Sequence, residues 1–428
     1  MASTEHPASR KGAKDKVPFA QRRWPTYAYM AVLTLVFIAL FQKIKDEHVS
    51  LGGDNADYFV LAKSLATGHG FSDVSNIDVR PHNHFPPGYP FLMAAMMKVG
   101  ITEIVTLTWM NGLFLWAALM LLFVVFKRWS GDRELAAVVI LVCMMNAHLL
   151  GYATIMMSEV PFLLCMAVTL FAYGEVLDAV PGRRRIAWVA VLIATSILML
   201  YIRTAGIAVV GALGAHLLIT RRIKLAFLFV GVVLLSQVPW QLRSQALGGS
   251  SYARQLLSVN PYRPEKGSMK LPDWKERVLA NAKRYFYREV PSALMPWTAK
   301  VNAFKVQRGK EWPLSALIVV LVCLGAWATG RYHWLVLLLL ALNMAMLLLW
   351  PQVWVGPRFI LPLIPLLLFL GLLGLYAAAR WCVQRFGWPR VVAWLPVVPV
   401  VLVLLSFSNS RVRCTDACWS VTSKLAIM

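Results

Sequence analysis

The sequence predicts an all-α protein that crosses a membrane many times. Of its 428 residues, 59% are hydrophobic and only 15% are charged, and its mean hydropathy is +0.61. Soluble domains are typically about 45–50% apolar and about 25% charged. A membrane-spanning helix needs about 20 mostly apolar residues, and runs of this kind recur along most of the chain.

These apolar runs predict about eleven membrane-spanning helices. The first run follows 24 basic and polar residues and continues at full span length, which indicates an anchor rather than a cleaved signal peptide. The predicted spans are 25–42, 102–126, 135–152, 160–178, 186–202, 205–220, 225–243, 313–329, 333–350, 359–379 and 391–407.

The positions of lysine and arginine predict which helix ends face the cytoplasm. Basic residues cluster in the N-terminal tail and in every second connection after it, and such residues favour the cytoplasmic side. Because the net charge of +23 is spread among the spans, a nucleic-acid-binding domain is not favoured. The segments predicted to face outward are 43–101, 153–159, 203–204, 244–312, 351–358 and 408–428.

This pattern divides the chain into five predicted regions. They are a basic cytoplasmic tail (1–24), a transmembrane core (25–243) with a first outer loop (43–101), an extracytoplasmic loop or lid (244–312), C-terminal transmembrane helices (313–407) and an outer tail (408–428). The lid contains a predicted helix at 273–288 and many aromatic residues. If the outer tail lies outside the cytoplasm, Cys414 and Cys418 could form a disulfide.

The first outer loop is unusually long, polar and acidic for a connection between spans. Its first part has the apolar spacing of a helix, with Asp54 predicted as the N-cap and Asp57 in the first turn. A Gly-x-Gly turn is predicted to end this helix. A second apolar helix, at 89–98, follows a double proline; it is too short to span and is predicted to be interfacial.

Two carboxylates are candidates for acid–base chemistry. Asp54 is either a helix cap or a base that the helix start holds in position, and both roles are compatible. Glu159 follows Ser158 at the outer end of a span. It either stabilises the start of the span 160–178 or faces Asp54 across a shared cavity as an orienting carboxylate.

Two arginines are candidates for binding an anion. Arg203 lies between two apolar runs and therefore needs an anionic partner, which is either Glu159 or a phosphate. Arg358 begins a late span at the same predicted face, and it either extends to the membrane surface or binds the same anion. Arg243 is predicted to be an interfacial arginine of the first kind.

The histidines of the first outer loop do not predict a metal site. The spacing of His69, His82 and His84 matches no familiar tight-binding ligand set. His84 is instead a candidate substrate contact. The chain also contains no phosphate-binding P-loop, so no nucleotide site is predicted.

In their order and spacing, these residues resemble the GT-C superfamily of integral-membrane glycosyltransferases. The resemblance is to the bacterial branch that contains lipid A aminoarabinose and galacturonic acid transferases and protein O-mannosyltransferases. It covers most of the chain. In the first outer loop it is carried by Asp54, Tyr58, Ala62 with Leu65, Gly68-His69-Gly70-Phe71 and Pro86-Pro87-Gly88-Tyr89-Pro90.

Further matches to this family lie along the rest of the chain. They are Glu159, Arg203 with Gly206, the Pro239-Trp240-x-x-Arg243 motif, and Arg358-Phe359 with Pro362 and Pro365. One departure is His84-Phe85, which stands where the aminoarabinose-type loop has an acidic–basic pair. It speaks against an aminoarabinose or similarly charged donor.

The resemblance implies a multi-pass enzyme of a bacterial inner membrane with a cytoplasmic N-terminus and an extracytoplasmic active site. It would transfer a sugar, with inversion, from a polyprenyl-phosphate donor to a hydroxyl group of a lipid, glycan or protein. No cofactor is required, although the resemblance leaves open whether a divalent metal ion is used. A polyprenyl-linked lipid flippase or transporter is the alternative, but inserts on one face and the lack of paired broken helices favour a transferase. The implied catalytic residues are Asp54 and Glu159, and the implied substrate contacts are Asp57, Tyr58, His84, Tyr89, Arg203 and Arg358.

Overall fold

A computed structural model describes residues 24–45, 53–75, 78–248, 251–295, 312–354 and 356–411. Within these ranges the protein is almost entirely helical, as predicted. The only strands among them are β1 (Ser72–Asp73) and β2 (Arg80–Pro81), which pair antiparallel in the first loop with Ser72 opposite Pro81. Most of the predicted cytoplasmic tail, and the outer tail with Cys414 and Cys418, lie outside the described residues.

Eighteen α-helices are assigned in the described ranges. The first nine are α1 (Trp24–Ile44), α2 (Asp54–Ala66), α3 (Gly88–Lys98), α4 (Ile104–Ser130), α5 (Arg133–Met144), α6 (Ala147–Ala153), α7 (Glu159–Asp178), α8 (Arg183–Ile202) and α9 (Gly206–Ile219). The others are α10 (Ile223–Leu235), α11 (Val238–Ala246), α12 (Ser251–Leu257), α13 (Leu271–Arg284), α14 (Val290–Leu294), α15 (Trp312–Ala328), α16 (His333–Leu349), α17 (Ile364–Arg385) and α18 (Val397–Arg411).

Each predicted span coincides with an apolar helix or with two consecutive helices. Seven helical segments are long and apolar enough to cross a membrane, and α5 with α6 makes an eighth if this pair, bent by 62°, is one span. Three shorter apolar helices match the remaining predicted spans: Gly206–Ile219, Trp312–Ala328 and Arg390–Leu405. The protein is therefore a polytopic membrane protein, and the number eleven stays a prediction.

The bundle is built around its most buried long helices, α4, α7 and α17. Helix α7 packs between α4 and α8, and α17 packs against α15 and α5. Helix α1, by contrast, leaves large apolar side chains such as Val32, Leu35 and Ile38 exposed. An apolar helix with so little protein contact fits a lipid-facing position.

The first loop forms a compact unit at one end of this bundle. Helices α2 and α3 pack against each other, and β1 and β2 lie between them in sequence. Helix α2 begins at Asp54, and Gly53 is its N-cap residue, with a φ of 59°. Because Asp54 is the first helical residue and Gly53 precedes it as the N-cap, the prediction that Asp54 is the N-cap is wrong. Its carboxylate bonds elsewhere, as described below.

The predicted lid helix at 273–288 is present with a different pattern. Helix α13 ends at Arg284 and continues as a π-helical turn, Tyr285–Glu289, before α14. Helix α13 packs against α16. The segment from α12 to α14 thereby covers the same end of the bundle as the first loop.

Helices α15 and α17 approach so closely that their contact requires glycine. A Cβ atom on Gly325 would lie 1.9 Å from the carbonyl oxygen of Leu370, and one on Gly374 would lie 1.9 Å from that of Leu321. Both neighbours are backbone atoms, which cannot move aside without separating the helices. On α17, a Cβ atom on Gly371 would have no neighbour within 4 Å.

We expect Gly374→Ala to destabilise the protein and Gly371→Ala to leave it unchanged or slightly more stable. Overpacking typically costs about 1–3 kcal/mol, whereas alanine is favoured over glycine in a helix by about 1 kcal/mol. Thermal unfolding of both variants in one detergent measures the difference. Equal melting temperatures for the two variants would contradict the close contact between α15 and α17.

Candidate functional site

A cavity of about 100 Å³ opens at the end of the bundle where the first loop and the α12–α14 segment meet. Charged and polar lining residues come from the first loop, from the starts of α7 and α9 and from the segment before α17. Aromatic residues, including four from the segments after α12 and α16, make up most of the rest of the lining. The lining includes Asp54, Tyr58, His84, Phe85, Ser158, Arg203, Gln255, Tyr262, Trp350, Trp354, Arg358 and Phe359.

Asp54 and Arg358 form an ion pair in the wall of this cavity. The Nη1 atom of Arg358 donates to Oδ2 of Asp54 at 2.9 Å, although the two residues are 304 positions apart in the sequence. About a third of each side chain stays exposed. Burial opposes the charge of Arg358, but the carboxylates of Glu159 and Asp54 outweigh it and raise the pKa of this guanidinium. Arg358 is therefore a permanent cation beside Asp54.

Glu159 and Arg203 form a second ion pair behind the first. Glu159 is the first residue of α7 and is fully buried, and its Oε1 atom lies 2.6 Å from Nη1 of Arg203. Arg203 lies in extended conformation between α8 and α9 and reaches the cavity wall. Of the two partners considered for Arg203, the structure thus shows the carboxylate. Anion binding by the same guanidinium stays a prediction.

Ser158 connects this pair to α2. Its hydroxyl accepts a hydrogen bond from Arg203 at 3.0 Å and lies 2.9 Å from the hydroxyl of Tyr58. Although Ser158 is the N-cap residue of α7, its side chain makes no capping bond. Its hydroxyl bonds Tyr58 and Arg203 instead.

Of the remaining predicted contacts, two line the cavity, one is buried and one is exposed. Tyr58 and His84 line the cavity, and burial lowers the pKa of His84, which favours a neutral ring. Tyr89 is fully buried behind Tyr58 and donates to Asn111. Asp57 also lies outside the cavity wall, and burial, then the charges of Asp54 and Asp73, raise its pKa. Neither Tyr89 nor Asp57 lines the cavity in the unliganded protein, and their roles as substrate contacts stay predictions.

Arg243 joins the first loop to α11. Its guanidinium donates to the carbonyl oxygens of His82 at 2.8 Å and Phe71 at 3.1 Å, and it lies over the ring of Trp240. In the Pro239-Trp240-x-x-Arg243 motif, Trp240 and Arg243 are thus in contact, and Arg243 binds the first loop. The prediction that Arg243 extends to the membrane surface is wrong. Within the described ranges, no group of three His, Cys, Asp or Glu side chains is placed to hold a metal ion.

The sequence analysis missed a row of polar side chains on α13 that holds the cavity roof. Asn281 donates to the carbonyl oxygens of Leu348 and Trp350 at 2.9 and 2.8 Å, and Arg284 donates to that of Gln352 at 2.8 Å. These carbonyls belong to the C-terminal end of α16 and the residues after it, where helix carbonyls lack internal partners.

The same row reaches the other part of the roof. Arg277, one turn before Asn281, donates to the carbonyl oxygens of Leu256 at 2.7 Å and Ser258 at 2.6 Å. Gln255, the residue before Leu256, lines the cavity. One face of α13 thus holds both roof segments. The i, i+4, i+7 spacing of Arg277, Asn281 and Arg284 was the available signal in the sequence.

A small apolar groove adjoins the cavity. It has a volume of about 20 Å³ and shares Arg203, Ala205, Trp350 and Phe359 with the cavity. Its other lining residues come from α7, α16 and the segment just before α17 and are mostly apolar: Phe162, Asn343, Met346, Leu347, Pro362 and Leu363. An anion at Arg203 would therefore have apolar surface directly beside it.

We expect Arg284→Met to increase amide hydrogen exchange at residues 350–354. The substitution keeps the length of the side chain but removes the donor to Gln352, and a net hydrogen bond of about 0.5–1.5 kcal/mol corresponds to about three- to tenfold faster opening. Arg284→Lys should recover part of the protection. The control is Lys283→Met, which removes a charge from an exposed neighbour. Equal exchange in Arg284→Met and Lys283→Met would contradict the role of Arg284.

We also expect the first loop to lose stability in acid through His82. The Nε2 atom of His82 accepts a hydrogen bond from the Phe85 amide at 2.9 Å, which a protonated ring cannot do. Burial lowers the pKa of His82 from 6.5 to about 4. Between these values the unfolded loop binds a proton that the folded loop excludes, so the stability of the fold falls as the pH falls.

Thermal unfolding at pH 7 and pH 4.5 tests this expectation. His82→Gln keeps an acceptor without a titrating ring, so its melting temperature should fall less than that of the wild type. A parallel fall in the two proteins would show that His82 is not responsible.

Comparison with known proteins supports this architecture. No family model matches the sequence, and no curated protein matches it significantly. Among solved structures, ArnT from Cupriavidus metallidurans bound to undecaprenyl phosphate is similar, with a TM-score of 0.52, 16% identity, and coverage of 90% of this chain and 72% of that chain. The apo state of the same protein gives a TM-score of 0.51 at 17% identity, with 91% and 73% coverage. The chain therefore has a fold similar to that of ArnT, and the polytopic helical membrane fold predicted from the sequence is confirmed.

Proposed function

We propose that this protein is a membrane glycosyltransferase that moves a sugar from a polyprenyl-phosphate donor to a hydroxyl group of a lipid, glycan or protein. The observation that carries this proposal is one cavity holding a partly exposed carboxylate, Asp54, beside two guanidinium groups, Arg203 and Arg358. An apolar groove opens next to Arg203. A carboxylate, an anion site and a groove for a lipid chain are the parts that such a transfer needs.

Asp54 is the proposed general base. The acceptor hydroxyl attacks C1 of the sugar, a new C1–O bond forms, and the bond between C1 and the phosphate oxygen breaks. The hydroxyl proton passes to the carboxylate of Asp54. Because attack and departure occur on opposite faces of C1, this single displacement inverts the anomeric centre.

The two arginines would bind the donor phosphate and the charge that grows on it as the sugar leaves. Guanidinium groups bind phosphate through paired hydrogen bonds, and donors fixed before the reaction stabilise developing charge most effectively. Glu159 would keep Arg203 oriented, since it is buried and 2.6 Å from that guanidinium. Two cations already face the leaving group, so the scheme needs no metal ion.

The proposal is supported from two further directions. The similar structure of ArnT was solved with undecaprenyl phosphate bound, which is the leaving group expected here. The distribution of lysine and arginine along the sequence favours an extracytoplasmic position for the cavity. At that face a lipid-linked donor is the expected source of activated sugar, because nucleotides are cytoplasmic.

We predict that Asp54→Asn abolishes transfer but tightens the binding of polyprenyl phosphate. In the unliganded protein Asp54 occupies Arg358, so the donor phosphate competes with this carboxylate. A partly exposed ion pair is worth up to about 1 kcal/mol, which corresponds to about two- to fivefold tighter binding when the competitor is removed. Loss of the base should slow transfer by at least about a hundredfold.

The matched control is Asp57→Asn, which removes a neighbouring carboxylate that does not line the cavity. Binding is measured with polyprenyl phosphate in detergent, and transfer with polyprenyl-phosphate sugars and candidate acceptors. Retained transfer by a folded Asp54→Asn protein would remove Asp54 from the base role. If Asp57→Asn tightened binding equally, the effect would come from overall charge rather than from competition at Arg358.

A further inference from the structure

Part of the cavity wall consists of uncharged residues from α12 and the segments that follow α12 and α16. Gln255 comes from α12, and Trp350 and Trp354 follow α16. The rings of Trp350 and Trp354 are 5.3 Å apart between centroids, and the indole N–H of Trp354 donates to the Tyr262 hydroxyl at 3.1 Å. We call these four residues, Gln255, Tyr262, Trp350 and Trp354, the aromatic wall.

Two atoms of the aromatic wall are buried without a hydrogen-bond partner among the described residues. They are Oε1 of Gln255, an acceptor, and Nε1 of Trp350, a donor. Leaving a buried polar atom unpaired costs about 1–3 kcal/mol. A hydroxyl group can donate to an amide oxygen and accept from an indole N–H. A ligand that carries several hydroxyl groups is therefore suited to both atoms.

In the unliganded protein the charged groups of the cavity are paired with one another. Asp54 is paired with Arg358, and Arg203 with Glu159, while the aromatic wall itself contains no charged residue. An ammonium or carboxylate group on a bound sugar would lie against indole rings and an amide without a countercharge. Burying a charge without a partner is strongly unfavourable.

We propose that the aromatic wall is the subsite for the transferred sugar and that this sugar is uncharged, with Gln255 as a residue that determines specificity. This inference rests on the proposed function. Flat aromatic surfaces supply most of the contact area in small-molecule sites, and a few polar groups fix the orientation of the ligand. The phosphate would bind at Arg203 and Arg358.

The test compares a polyprenyl-phosphate hexose with polyprenyl phosphate alone. Gln255→Met should weaken binding of the sugar-bearing donor by about three- to tenfold, as expected for one net hydrogen bond, and leave binding of polyprenyl phosphate unchanged. Trp350→Phe, which removes the indole donor, should act in the same direction. The control is Gln245→Met, which alters an exposed glutamine on α11 and should change neither affinity.

A second arm tests the charge of the sugar. Wild-type protein should bind a hexose donor more tightly than donors bearing an amino sugar or a uronic acid. Gln255→Glu, which adds a negative charge to the aromatic wall, should shift the preference toward the amino sugar. Melting temperatures of all variants establish that each one is folded.

Each outcome has a separate meaning. Equal loss of both ligands in Gln255→Met would overturn the subsite, because Gln255 would then serve the phosphate or the lipid. Wild-type preference for a charged sugar would overturn the assignment to an uncharged one. If the wild type bound no polyprenyl phosphate at all, the proposed function itself would fail, and this inference with it.

Discussion

The buried ion pair between Glu159 and Arg203 is the interaction on which the site depends. Glu159 has almost no exposure to solvent, and a carboxylate buried in this way is tolerated only beside a cation. The pair fixes the start of α7 against the junction of α8 and α9. Through Ser158 it also reaches Tyr58 on α2. Removing either member would leave an uncompensated charge at the point where these four helices meet.

A close backbone contact supports the same junction. A Cβ atom on Gly88 would lie 2.7 Å from the backbone of Tyr201, two residues before Arg203. Glycine at this position lets the start of α3 lie directly against the end of α8. The double-proline segment of the first loop and the Arg203 step are thus adjacent for steric reasons, independently of the charges. The two constraints together place Asp54 and Arg203 in one cavity.

The fold and the buried charged residues could be predicted from the sequence. Apolar runs located every apolar helix or helix pair, and Glu159 and Arg203 were recognised because a charge between apolar runs needs a partner. The partner of Asp54 was not recognised, since Arg358 lies 304 positions away and its local sequence suits an interfacial arginine equally well. The sequence motif also did not indicate that the Tyr89 ring is buried and bonds Asn111, because a motif does not show which way a side chain points.

The polar row on α13 and the aromatic wall were harder to recognise for a related reason. Asn281 and Arg284 bind backbone carbonyls, and because every residue has a carbonyl, no complementary sequence signal exists. Gln255 is a candidate site residue only because it lines the cavity, and no feature of the sequence around it distinguishes it from other glutamines. Local patterns predict elements, whereas the packing of distant elements decides which polar atoms remain unpaired.

Because α13 binds backbone carbonyls, the residues that anchor the cavity roof differ from the residues that line the cavity. Helix α13 holds the segment 347–352 through hydrogen bonds to its backbone carbonyls, and Trp350 lines the cavity. A substitution at Trp350 or Gln255 would leave the carbonyls bound by α13 in place. The roof can therefore be held rigidly while its inner surface changes, and a change of sugar preference would not require a change in the way α13 is anchored.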